Sequence, residues 1–121
     1  MRHRLLIAGL AALTLAGTAA SPTLAQTRTA KVSAYCSACS STRCSTGKRL
    51  TIGTVAADPR YHPIGTKIKF GAPINAVLTV ADTGGAIKGR DRFDRSYGVC
   101  RKCSGDLRWG VRRVAYTVVG R

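Results

Sequence analysis

The sequence predicts an all-β domain, most simply a small barrel. Three observations carry this. Apolar residues recur in short runs with a period near two. Glycine, proline and small polar residues punctuate those runs. Beyond the N-terminal stretch, no segment sustains helical periodicity over three turns, and no internal repeat is present.

Residues 1–25 read as a secretion leader. Arg2, His3 and Arg4 form a basic start, Leu5 to Leu15 is apolar, and Thr23-Leu24-Ala25 fits the small-x-small cleavage rule. Cleavage after Ala20 is the alternative. The apolar run is shorter than the roughly 20 residues a membrane span needs. The expected domain is therefore residues 26–121, exported and without a membrane span.

Thr29 to Tyr35 reads as the first strand, with Val32 and Tyr35 as its β-favouring members. A small-residue loop follows, carrying Cys36, Cys39 and Cys44. Arg49 to Ala57 reads as a strand through Leu50, Ile52 and Val55, with Gly53 marking a bulge or break. Asp58-Pro59 stops it, because proline cannot donate to a ladder. Tyr61 to Thr66 is a turn punctuated by Pro63 and Gly65. Lys67 to Phe70 alternates, with Ile68 and Phe70 inward. Gly71 to Asn75 connects it to a strand over Ala76 to Ala81. Asp106 to Trp109 suits one helical turn closed by Gly110. Val111, Val114, Tyr116, Val118 and Val119 complete a final strand.

The stretch from Val80 to Asp94 concentrates the chemistry. It holds Asp82, Asp91 and Asp94, three of the five acidic residues in a chain with no glutamate. Gly84 and Gly85 allow the close backbone approach that a bend beside a ligand groove needs. On an extended segment Phe93 and Asp94 point to opposite faces, so a buried Phe93 turns Asp94 outward. Composition alone fits a polar hairpin turn equally well. His62, in a turn beside Pro63, is a weak catalytic candidate, and no serine sits in a nucleophile elbow.

Charge and cysteines narrow the partners. Without Arg2 and Arg4, eighteen Lys and Arg face five Asp, a net charge of +13. Such a field attracts polyanions. Export and scattered aromatics speak against nucleic acid, and an anionic cell wall fits better. Cys36, Cys39 and Cys44 form one cluster, Cys100 and Cys103 another. In an exported domain the expectation is two disulfides and one thiol, with at least one bridge joining the clusters. The rival is a zinc site, since Cys36-x-x-Cys39 and Cys100-x-x-Cys103 have ligand spacing. The preferred reading has no metal and no cofactor.

Val55-Ala-Ala-Asp-Pro59, Ile64-Gly-Thr-Lys67, Ala81-Asp-Thr-Gly-Gly-Ala-Ile-Lys-Gly89, Phe93-Asp94 and Trp109-Gly-Val-Arg112 together resemble the 3D domain, a family named for three aspartates and found in bacterial peptidoglycan lytic transglycosylases. The matching aspartates are Asp58, Asp82 and Asp94. The resemblance implies a six-stranded double-psi β-barrel with short helical turns. It implies cleavage between N-acetylmuramic acid and N-acetylglucosamine, leaving a 1,6-anhydro end. It makes Asp94 the catalytic acid/base, with Asp82 beside it. Thr83, Gly84, Gly85, Lys88 and Asp91 become substrate-binding residues, and Asp58, Gly65 and Trp109 structural ones. The expected partners are peptidoglycan glycan strands and anionic wall polymers. Two departures stand out: Arg95-Ser96-Tyr97 replaces the family's apolar residues, and the segment before Asp94 is one residue longer, which leaves Asp91 as a rival acid. A non-catalytic, expansin-like wall-binding module is the alternative function, and a basic nucleic-acid or lipopolysaccharide binder a third.

Overall fold

The computed structural model describes residues 26–37, 41–100 and 108–121. The leader expected over residues 1–25, together with Cys39, Cys103 and the start of the helical turn at Asp106, lies outside the described residues. Six strands close into a barrel: β1 (Arg28–Tyr35), β2 (Thr54–Ala57), β3 (Lys67–Phe70), β4 (Ala76–Asp82), β5 (Arg92–Ser96) and β6 (Arg112–Gly120). Around the barrel the order is β1-β5-β2-β4-β3-β6, and closure removes every free strand edge. β1 with β5 and β2 with β4 run parallel, and the other four contacts are antiparallel.

Alternation sets the core. Val32, Val55, Ala57, Ile68, Phe70, Leu78, Val80, Phe93, Val114 and Tyr116 point inward. Phe93 sits at the centre of an aromatic cluster, with ring centroids 5.2 Å from Phe70, 4.9 Å from Tyr116 and 5.0 Å from His62. His62 is therefore buried among core rings. Trp109 joins the core and donates its indole N–H to the Val32 carbonyl at 2.8 Å. Gly110, at φ +64°, closes the described end of its helical turn.

The connections follow their turn residues. Gly71 accepts from the Asn75 amide across the β3–β4 connection, where Asn75 takes a positive φ of 50°. Gly65 turns at φ +96°, and its amide donates to the Val80 carbonyl.

Two expectations need correction. The strand read over Arg49 to Ala57 begins only at Thr54. Leu50 is buried, but in a separate cluster with Cys44 and Ala81 that packs on Tyr35, and Ile52 is 62% exposed. The Thr54 amide instead closes a turn onto the Thr51 carbonyl. The last strand begins at Arg112 rather than Val111; within it Val114 and Tyr116 are buried, and Val118 and Val119 are exposed.

The cysteine clusters are joined by a Cys36–Cys100 disulfide, closing a separation of 64 residues. That bond removes two of the four sulfurs the zinc reading required. Cys44 is a free, buried thiol.

Candidate active site

A single row of residues crosses four strands. Ser33 pairs with Asp94, Asp94 with Ala56, and Ala56 with Asp82. Val55 and Ala57, on either side of Ala56, face the core, so Ala56 and its cross-strand partners lie on the outer side of the barrel wall, where Ala56 and Asp82 are themselves buried, 3% and 8% exposed. Neighbouring strands are about 4.8 Å apart, which places the Asp82 and Asp94 backbones about 10 Å from each other.

Asp82 reaches that face only because the ladder is irregular. Val55 pairs with Val80, yet Ala56 pairs with Asp82, so Ala81 is extra. Val80 is in the core, and strict alternation would return Asp82 to the core side as well. The bulge rotates it out to the level of Asp94.

Three donors converge on the Asp82 carboxylate. The Tyr35 hydroxyl donates to Oδ2 at 2.8 Å, and the Ser45 and Thr83 amides donate to Oδ1 at 2.7 and 2.9 Å. The cysteine loop is thus pulled across the end of β4, where the Thr46 hydroxyl also donates to the Ala81 carbonyl at 2.9 Å. Burial first, then the hydrogen bond to Asp82, hold the Tyr35 phenol far above its ordinary range, and the Asp94 charge adds to this. Tyr35 therefore stays a donor and lies within the field of both carboxylates. Cys44 is raised in the same way, by burial and then by Asp82. On the far side of the row the Ser33 hydroxyl donates to Asp94 Oδ1 at 2.8 Å.

The other two described aspartates do different work. Asp58 is 1% exposed and accepts from the Arg60 guanidinium, the Arg60 amide and the Gly89 amide. The Arg60 hydrogen bonds, then that of Gly89, hold its carboxyl well below the usual range. Asp58 and Asp82 thereby pin the two ends of the loop between β4 and β5. Asp91 accepts a bidentate pair from Arg28, at 2.8 and 2.9 Å, and the Tyr116 hydroxyl at 2.6 Å. Arg28 first, then Tyr116, lower its pKa to about 2.

Inside the pinned loop, Gly84 is required by contact: a Cβ there would lie 2.8 Å from Ile87 Cγ1. Ile87 is buried and its amide closes the turn onto the Gly84 carbonyl. Thr83, Gly85 and Lys88 are exposed. The fold therefore brings Asp82, Asp94 and Thr83 together and turns Asp91 toward β1. Arg92 donates to the Phe93 and Lys31 carbonyls, and Arg95 lies over the Tyr97 and Trp109 rings, each at 4.9 Å. Ser33, Tyr35 and Ser45 are the site residues that sequence reasoning missed. The alternation of Ser33 and Tyr35 against buried Val32 was their one available signal.

The profile of the 3D domain family matches residues 53–119, more than half of the chain. Among solved structures the barrel is similar to MltA from Escherichia coli, reported as having a unique lytic transglycosylase fold, at 24% identity and a TM-score of 0.53 over 63% of this chain and 26% of that one. It is also similar to E. coli MltA with bound chitohexaose, at 21% identity and a TM-score of 0.54 over 63% and 27%. The chain thus spans about a quarter of the length of those structures. No curated protein sequence matches it. Among the described residues no helix is long and apolar enough to cross a membrane, and no cluster of three metal-ligating side chains occurs.

Proposed function

Because the chain belongs to the 3D domain family, we propose that it is an exported lytic transglycosylase that cleaves the N-acetylmuramic acid to N-acetylglucosamine bond of peptidoglycan. The observation that carries this reading is the outward pair Asp82 and Asp94, level with each other across Ala56. The Cys36–Cys100 disulfide supports export to an oxidising compartment, and the basic excess supports work against an anionic wall.

Breaking a glycosidic bond requires a proton on the leaving oxygen as positive charge develops on the sugar. Asp94 is the donor in this reading, oriented by Ser33. The sugar's own C6 hydroxyl then attacks the anomeric carbon, and the Asp94 carboxylate takes the hydroxyl proton. One carboxyl thus serves as acid and then as base, and the product is a 1,6-anhydro ring. Asp82 lies beside the developing cation and holds Tyr35, Ser45 and Thr83 in place. Thr83, Gly85 and Lys88, exposed on the pinned loop, contact the glycan.

A wall-binding module is the second reading. It is favoured by Asp82, whose two oxygens are already committed to three protein donors. Mass spectrometry of purified peptidoglycan after incubation with the protein separates the two. Anhydro-muramic products establish the enzyme. Retention on the wall without any such product, at any pH from acidic to neutral, establishes the binder.

A further inference from the structure

A concavity lies away from the carboxylate row. It has a volume of about 350 Å³, and Arg28, Arg90, Arg121, Tyr61, His62 and Tyr116 are among its lining residues. Arg28 opens β1, five positions before Ser33, and Arg90 precedes Asp94 by four. At about 3.3 Å per extended residue Arg28 is therefore about 17 Å along β1 from the row. Its lining has three arginines and no acidic side chain.

The pocket is built rather than incidental. The Arg90 carbonyl is gripped from two sides, by His62 Nε2 at 2.7 Å and by the Tyr116 hydroxyl at 3.2 Å. A carbonyl only accepts, so His62 Nε2 is the donor in this bond. The Arg90 guanidinium lies 5.3 Å over the Tyr61 ring, which holds the cation beside a half-exposed aromatic face. Arg28 is clamped by Asp91 through Nε and Nη2, and Nη1 takes no part in that fork. A cation already ordered by its neighbours loses little freedom when it meets an anion. None of these groups serves the proposed cleavage.

We propose that this pocket is an oxyanion-binding subsite, taking a carboxylate or phosphate group beside Arg90, with the ring of Tyr61 against the apolar part of the same ligand. This rests on the wall-glycan reading for the source of the ligand, which is either a stem-peptide carboxylate or a phosphodiester of an anionic wall polymer. It would anchor the wall at one end of the barrel while the glycan lies on the carboxylate row.

The test is an NMR titration of the full chain with inorganic phosphate. Shifts are expected to concentrate at Tyr61, His62 and Arg90. Arg90→Gln keeps the carbonyl that His62 and Tyr116 hold, so the fold should survive, and affinity should fall about tenfold or more through loss of a charged hydrogen bond. Arg113→Gln removes the same charge from an exposed position on β6 and should change little. Equal losses in the two variants, or shifts spread over all surface arginines, would overturn the site. Two competitors then identify the source. Displacement of phosphate by a muramyl dipeptide assigns the stem carboxylate, and displacement by glycerol-phosphate oligomers assigns the polymer. Displacement by neither overturns the wall ligand. The titration involves no turnover, so a failure to release anhydro-sugar sinks the enzyme reading and leaves this one standing.

Discussion

Asp82 and Asp94 flank Ala56, each directly paired with it from one side of β2. The pairing defines the first prediction. Asp94→Asn should lower release of anhydro-muramic ends at least about a hundredfold, the lower range for losing a general acid. Folding and wall retention should persist. Asp82→Asn should reduce cleavage less severely, because it unsettles Tyr35, Ser45 and Thr83 rather than removing the proton donor. Quantifying anhydro-sugars from sacculi decides it. Full activity in Asp94→Asn, with loss in Asp91→Asn, would transfer the acid role to Asp91.

Asp91 predicts a pH window for stability. Arg28 and Tyr116 lower its pKa to about 2, against about 3.9 in an unfolded chain. A depressed carboxyl stabilises the fold above the unfolded value and loses that contribution as pH falls through the folded one. Its contribution should therefore be complete above about pH 4 and should vanish progressively toward pH 2. In denaturant melts across this window, Asp91→Asn should be less stable than the unmodified protein near neutrality. The gap should close toward pH 2, and a gap that widened with acid would contradict the assignment.

The disulfide and the thiol can be read together. Cys36–Cys100 spans 64 residues, and closing a loop of that size restrains the unfolded chain by about 4 kcal/mol in the chain-entropy account. The double substitution Cys36→Ser, Cys100→Ser should lower stability by a comparable amount. Cys44 is 5% exposed and should react with a thiol reagent only after denaturation. Rapid labelling of Cys44 in the native protein would show that the cluster with Leu50 and Ala81 is open in solution.

Phe93 is fully buried between Phe70, His62 and Tyr116. Phe93→Ala should cost about 3–5 kcal/mol, because rigid rings on closed strands cannot collapse into the space. It should also release Asp94, the next residue. Thermal unfolding measures the first effect, and a fall in cleavage below the loss of folded protein measures the second.

Wall retention should weaken with salt. A net charge of +13 on residues 26–121 acts over the screening length, which is roughly 8 Å at physiological ionic strength. Binding to isolated walls that is unchanged from low to molar salt would show that the charge takes no part.

Much of the barrel was legible in local sequence. Lys67 to Phe70 alternates visibly, and Ile68 and Phe70 do point inward. Pro59 ends β2, and Gly65 and Gly110 take the positive φ their turns need. Phe93 buried and Asp94 outward follow from period-two geometry as soon as the segment is known to be a strand. The clustering of cysteines implied a link between the two clusters, and Cys36–Cys100 makes it. Leu50 misled because burial was read as strand, whereas it packs under a loop on the outer surface.

What the sequence by itself determined is local: strand periodicity, turn chemistry, the basic excess and the motif of the 3D family. What only the tertiary structure decided is what each carboxylate is bonded to. Asp91 is held by Arg28, 63 residues earlier in the chain, and Asp82 by Tyr35, 47 residues earlier. Asp82 faces outward because Ala81 is extra against β2, although its own strand alternates toward the core. Local sequence encodes which backbone shape a segment prefers. A carboxylate's role depends on the donors and charges within a few ångströms, and here those arrive from distant strands through register and a bulge that exist only once the barrel closes.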